Sequence, residues 1–299
     1  MGAARLSFVM ILIRWLLLAV FALAIRLGQA DPLRIVVTMP AIYSWTAQVV
    51  GTNAVVESLL PGETGVHHYR LKPQDLRRLT SADLLVIIGL GVDDWVAKAA
   101  EKERGNGLRP RIARLSSGMD SQLIREENSA EPNPHIWLDP VLVEGCLSNL
   151  VAVLSELDPK SSSQFVAHAE AYRHQLRRLD DDLRQGVAKL GSTNLVTFHD
   201  AFPYFARRYG LKMLGIVEEQ PNVDPSPRHL AQVSHTIREA HVPVIFTEPQ
   251  YSPRLAQRIA ADLGIKVAVL DVLETGEATP SFYEQAMRRN LQVLQESLR

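Results

Sequence analysis

Three side chains stand beyond the ends of short apolar runs, a fourth lies on a proline-bracketed turn, and together their types can surround a cation. His67 follows the run Val55 to Leu60, His199 closes Leu195 to Phe198, and Asp271 closes Lys266 to Leu270. His135 lies in Asn133-Pro134-His135-Ile136-Trp137-Leu138-Asp139-Pro140. Pro134 and Pro140 each fix their own φ and bias the preceding residue toward extended backbone, so His135 is held on a stiff turn. Asp139 suits a helix N-cap, with Pro140 at the first helical position. Three neutral imidazoles and one carboxylate make a borderline-soft set of four donors, suited to Zn2+ ahead of Mn2+, Co2+ or Fe2+. Spacing alone does not show that the four meet. Each is open to reading as an ordinary strand-end residue, and the octapeptide as a turn whose histidine only hydrogen-bonds.

The elements that must position them alternate in type. Arg34 to Met39, Val55 to Leu60, Leu84 to Gly89 and Arg111 to Leu115 have the length and β-branched content of strands, with helical stretches at Ile42 to Val50, Pro73 to Ala82 and Asp93 to Glu103. The second half repeats the plan. Strands at Leu195 to Phe198, Lys212 to Val217, Val242 to Thr247 and Lys266 to Leu270 alternate with helices at Ala201 to Tyr209, Arg228 to Ala240, Arg254 to Leu263 and Phe282 to Leu298. Such alternation implies parallel pairing. The expected fold is α/β, two lobes each with a four-stranded mostly parallel sheet flanked by helices. Ligands of such sheets gather beyond the carboxyl ends of strands, which is where His67, His199 and Asp271 fall.

Between the lobes, Asp158-Pro159 reads as an N-cap followed by proline at N1, and no breaker appears before Gly186 and Gly191. Phe165, Tyr172, Leu176, Leu179, Leu183, Val187 and Leu190 form one apolar stripe, predicting a single rigid connecting helix of roughly 45–50 Å. Arg173, Arg177, Arg178, Asp181, Asp182 and Arg184 mix both signs on the other face, as solvated faces do. The expected divisions are a signal peptide at 1–30, an N-terminal lobe at 31–157, the connecting helix at 158–190 and a C-terminal lobe at 191–299.

Arg5 and Arg14 precede the apolar run Trp15 to Ile25, and Leu27-Gly28-Gln29-Ala30 offers small residues for a signal peptidase. Eleven apolar residues fall well short of the ~20 that span a bilayer, and no cysteine follows to carry a lipid anchor. A soluble product in the periplasm is expected. Without residues 1–30 the chain has 29 basic and 33 acidic groups, a formal charge of −4, which gives no support for nucleic-acid binding. The lone Cys146 has no partner for an intrachain disulfide and reads as a small buried hydrophobe. His168, His174, His229, His235 and His241 are spaced unlike a ligand pair on one helical face and read as solvated or core-edge residues.

Five ordered motifs add a resemblance. Leu59-Leu60-Pro61-Gly62 with His67-His68-Tyr69-Arg70-Leu71-Lys72-Pro73-Gln74-Asp75-Leu76, the His135 octapeptide, Phe198-His199-Asp200-Ala201-Phe202, Thr247-Glu248-Pro249-Gln250-Tyr251-Ser252-Pro253 and Leu270-Asp271 run across nearly the whole chain beyond residue 30. The set resembles the metal-binding substrate-binding proteins of zinc and manganese ABC transporters. The resemblance implies a metal in the cleft between the lobes, held by His67 rather than His68, by His135, by His199 and by Asp271. A histidine at the third position and the form His-x-Tyr-x-Leu-x-Pro-x-Asp resemble the zinc-selective branch, so Zn2+ is expected first and Mn2+ second. It also implies a monomer whose partners are a divalent metal ion and an inner-membrane ABC permease, with a metallochaperone as a further partner class, and a binding protein rather than an enzyme. Two departures stand out. Gly65-Val66 occupies the place where many relatives have an acidic residue and proline, and residues 116–134 lack the histidine-rich loop of many zinc relatives. Water or Glu248 are alternatives to Asp271 as fourth ligand, although Glu248 reads first as a salt-bridge or capping residue. Two rival readings remain from the residues themselves: a hydrolytic zinc enzyme, which needs an open fourth position, and a zinc-binding adhesin or store.

Overall fold

Strands and helices alternate through both halves of the chain in the computed structural model, which describes residues 32–299 apart from 106, 108, 126–130 and 220–222. The expected signal peptide at 1–30 lies outside the described residues. In the first half β1 (Leu33–Val37), β2 (Ala54–Ser58), β3 (Leu84–Ile87) and β4 (Arg111–Arg114) form one sheet in the order β2-β1-β3-β4. The register is parallel, with Val36 beside Leu85 and Leu85 beside Ile112. Helices α1 (Pro40–Val50), α2 (Pro73–Ser81), α3 (Asp94–Arg104) and α4 (Pro140–Leu157) belong to this lobe. Leu84, Leu85, Val86 and Ile87 of β3 are all fully buried, as an apolar run covered on both faces must be.

The second sheet contains β5 (Asn194–Thr197), β6 (Lys212–Ile216), β7 (Val244–Thr247) and β8 (Lys266–Val269), in the order β6-β5-β7-β8 and again parallel. Helices α6 (Pro203–Tyr209), α7 (Pro227–Glu239), α8 (Arg254–Leu263) and α9 (Phe282–Ser297) complete it. Strand β7 begins two residues later than the hydrophobic run because Pro243 has no N–H to give a ladder and serves only as an acceptor, for Lys266 N.

Helix α5 (Ser162–Val187) joins the halves over 26 residues, about 39 Å. It starts later and ends earlier than the stretch 158–190. Asp158 closes α4 instead, its N–H bonded to Leu154 O at 2.8 Å, and its backbone at φ −133°, ψ 82° lies outside the helical region that a following proline disfavours. Phe165, Tyr172, Leu176, Leu179, Leu183 and Val187 are buried as the stripe requires, whereas Leu190 lies past the helix end. Helix α5 packs on α1, α4 and α9, and Arg34–Arg299 forms one compact unit.

In each sheet the strand order reverses beside the first strand, β1 or β5, which opens a crevice at the carboxyl ends. Lobe one fills its crevice with structure: Thr38 Oγ1, Ile88 N and Gly89 N all donate to the buried Asp93 carboxylate at 2.7 to 2.9 Å. Lobe two places His199 and Glu248 there.

Candidate metal centre

Each histidine is delivered by a loop with its own fastening. His67 sits in the turn between β2 and α2, a segment pinned by Asp75, whose Oδ2 accepts Tyr69 OH at 2.7 Å and Lys72 N at 2.8 Å. His135 precedes a short 3-10 turn, Ile136–Leu138, that leads into α4. Asp139 caps α4 through Val141 N at 2.9 Å with Pro140 at the first position, as its sequence requires, and it also accepts from Arg208 Nε of lobe two at 2.9 Å. His199 leaves β5 with its Nδ1 against Glu248 Oε2, so Glu248 supports a histidine rather than facing the centre itself.

The three imidazoles converge. Ring centroids lie 6.0 Å apart for His67 and His135, 6.1 Å for His67 and His199, and 5.0 Å for His135 and His199. His135 Nε2 and His199 Nε2 are 3.2 Å apart. His68 points elsewhere, its ring edge-on to Tyr251 at 5.3 Å. Trp137 walls the site behind His135 at 5.0 Å and donates Nε1–H to Val272 O across the lobes at 2.7 Å.

The carboxylate that joins them is Glu274, not Asp271. Glu274 Oε1 lies 3.8 Å from His67 Nε2 and 3.9 Å from His135 Nε2, and the donor atoms of His67, His135, His199 and Glu274 all fall within 4.8 Å of one another. Asp271 is turned away: Oδ1 accepts Leu273 N at 2.7 Å, and the residue lines a separate cavity with Gly62, Gly276 and Arg289. The cause is local. Leu273 has φ 63°, a left-handed conformation unusual for a leucine, which reverses the chain so that Glu274 enters the cleft that Asp271 leaves. Burial pushes the Asp271 carboxyl above its ordinary value, only partly offset by the Leu273 N–H bond and the Arg289 charge.

Gly65 gives that carboxylate its room. A Cβ there would lie 2.7 Å from Glu274 Oε2, the oxygen that accepts Val66 N at 3.1 Å. A carboxylate from lobe two thus stands beside the Gly65-Val66 stretch next to His67. No sequence signal located it beyond the presence of a second carboxylate three residues after Asp271.

The donors have the properties a cation requires. His67 Nε2 and Glu274 Oε1 are buried with no hydrogen-bond partner, an arrangement costly for both unless something sits between them. A tetrahedral zinc shell with bonds near 2.0–2.1 Å has edges of about 3.3 Å; three donor pairs lie at 3.2 to 3.9 Å and all of them within 4.8 Å. A cavity of about 280 Å3 opens onto the three histidines, and Asp200, Glu218 and Glu219 give its wall a sign that attracts cations.

A family model described as ZnuA, zinc-uptake complex component A, periplasmic, matches residues 35–297. The chain belongs to the ZnuA family. It is 30% identical over 286 residues to the high-affinity zinc uptake system protein ZnuA of Bacillus subtilis (strain 168), covering 91% of this chain and 89% of that one. Among solved structures it resembles a ZnuA deletion mutant with zinc bound, at a TM-score of 0.80 and 28% identity over 90% of this chain and 98% of the other. It also resembles the SBP FpvC of Pseudomonas aeruginosa in complex with Mn2+, at 0.78 and 26% over 90% and 98%. The two-lobed α/β architecture expected from alternation is therefore that of the ZnuA family.

Proposed function

We propose that this chain captures Zn2+ in the periplasm, after export on the leader at 1–30, and hands it to an inner-membrane ABC permease. His67, His135, His199 and Glu274 would be the four ligands. The convergence of their donor atoms within 4.8 Å carries the reading, and the zinc-uptake description of the ZnuA family supports it. Three nitrogen donors favour zinc over manganese, which prefers oxygen-rich shells. A fourth protein donor closes a tetrahedral shell and leaves no place for an activated water, which favours carriage over hydrolysis.

The test is zinc titration with metal analysis of the purified chain. One zinc per chain is expected, and His67→Ala, His135→Ala and His199→Ala should each lower affinity by roughly 100-fold or more, the cost of removing a direct ligand from a shell in which even supporting residues matter 10–100-fold. Wild-type affinity in all three variants would overturn the reading.

A further inference from the structure

Asn133 connects the two lobes immediately behind two of the converging histidines. Its Nδ2 lies 2.7 Å from the Asp200 carbonyl oxygen and 3.0 Å from Asp200 Oδ2. Its Oδ1 lies 3.1 Å from the His135 backbone N and 3.0 Å from His135 Nδ1. Two of these partners have fixed roles, since a peptide carbonyl only accepts and a peptide N–H only donates. The amide can therefore sit one way only, NH2 toward Asp200 and oxygen toward His135. That oxygen has no hydrogen to give, so His135 Nδ1 must carry the one between them. The lone pair of the neutral ring is then on Nε2, the atom that faces His199 and Glu274. The backbone of Asn133 is fastened as well: its N–H reaches Ile124 O at 2.9 Å, and its carbonyl accepts the Tyr204 hydroxyl of lobe two at 2.7 Å.

Resting on the zinc-binding reading above, we propose that Asn133 is the positioning residue that presents His135 in its metal-ready tautomer and, through Asp200, latches lobe two while a cation is held. A cation on Nε2 draws electron density from the ring and makes Nδ1–H a stronger donor. The amide is polarised in turn, and its two bonds to Asp200 strengthen. Bound metal and the Asn133 to Asp200 contact thus stabilise each other. Loss of the latch speeds metal release far more than it slows capture.

The experiment uses the full chain beyond the leader, with Zn2+ as probe and variants Asn133→Ala and Asn133→Asp. In the metal-free protein at neutral pH, nitrogen-15 correlation spectra should show His135 protonated on Nδ1 in the wild type and shifted toward the Nε2–H tautomer in Asn133→Ala. A merely structural residue would leave the tautomer unmoved. Zinc release to a chelator, followed by stopped flow, should be roughly 10-fold to 100-fold faster in Asn133→Ala, the range typical of residues that support a ligand. Asn133→Asp keeps an acceptor for Nδ1 but sets a carboxylate against Asp200, so it should keep the tautomer and still release zinc at least 10-fold faster. Wild-type release from Asn133→Asp overturns the latch, even where Asn133→Ala fails to fold. A wild-type chain that holds no zinc would defeat the functional reading instead, and the tautomer, read without metal, would stand separately.

Discussion

Burial distributes protons unevenly among the four donors before a cation arrives. His67 is lowered to about 4, first by desolvation and then by the neighbouring His199 and His68. His135 is held well below its ordinary value by desolvation, His199 and His67. Burial acts on His199 in the same sense, but the Glu248 charge and contact, with Glu274 and Asp200, outweigh it and raise that ring. Desolvation pushes Glu274 up to about 7 despite the opposing pull of His199. Of the four, His199 and Glu274 are the groups shifted toward holding a proton, and His67 and His135 the groups shifted away from it. A cation needs the ionised carboxylate, whose folded value lies at about 7, so binding releases that proton and affinity falls by about one logarithmic unit per pH unit as pH drops below 7. Titration calorimetry at about pH 6 in buffers of different ionisation enthalpy should show Glu274→Gln releasing about one proton fewer and binding roughly 100-fold more weakly. Asp271→Asn, which keeps an oxygen for Leu273 N, should retain zinc affinity within about threefold. The reverse pattern would restore Asp271 as ligand. The histidines were readable because strand ends and proline-bracketed turns are local features. The carboxylate was not, because its place depends on one left-handed residue, Leu273, whose φ no composition rule supplies.

The loops that carry these side chains meet through glycines. Gly276 N donates to Gly62 O at 2.7 Å, and a Cβ on Gly62 would come within 2.5 Å of Gly276 O, a backbone atom that cannot turn aside. At Gly65 the obstructed atom is Glu274 Oε2, already tied to Val66 N. Overpacking of this kind costs about 1–3 kcal/mol. Gly65→Ala should therefore displace the carboxylate and weaken zinc binding by roughly 10-fold to 100-fold, while thermal unfolding without metal stays close to wild type. Gly62→Ala, acting on backbone, should lower the unfolding temperature as well. Unchanged zinc affinity in Gly65→Ala would mean that Glu274 does not need its present position. Element boundaries were readable where one residue decides them locally, as Asp139 and Pro140 do for α4. They were misread where one residue serves two neighbours. Asp158-Pro159 has the form of a helix start, yet Asp158 ends α4, and α5 begins only after a turn through Ser161.

The two lobes are tied at more than the candidate centre. Helix α5 packs on α1, α4 and α9. Trp137 Nε1 bonds Val272 O, and Tyr283 OH of α9 bonds Trp137 O at 2.7 Å. Arg208 reaches the buried Asp139, and Ser44 of α1 donates to Pro280 O at 2.8 Å. Hinged binding proteins close by swinging lobes about a few compliant loop residues. Here a 26-residue helix replaces such a linker, and its Leu176, Leu179 and Leu183 are fully buried. Large rotation would have to expose these side chains and break several lobe-to-lobe hydrogen bonds together, at about 1 kcal/mol net per bond and more for buried groups left unpaired. Metal binding is therefore expected to tighten existing lobe-to-lobe contacts and shift the loops that carry Glu274 and His67, rather than to rotate whole sheets. Small-angle scattering of metal-free and zinc-loaded protein should give radii of gyration that differ by less than about 0.5 Å on a value near 18 Å. Amide exchange should slow on zinc loading around residues 62–68 and 271–276 while the strands of both sheets stay unchanged. A decrease of about 2 Å in the radius, the mark of wide hinge closure, would show that α5 bends and that the stiffness assigned to it is wrong.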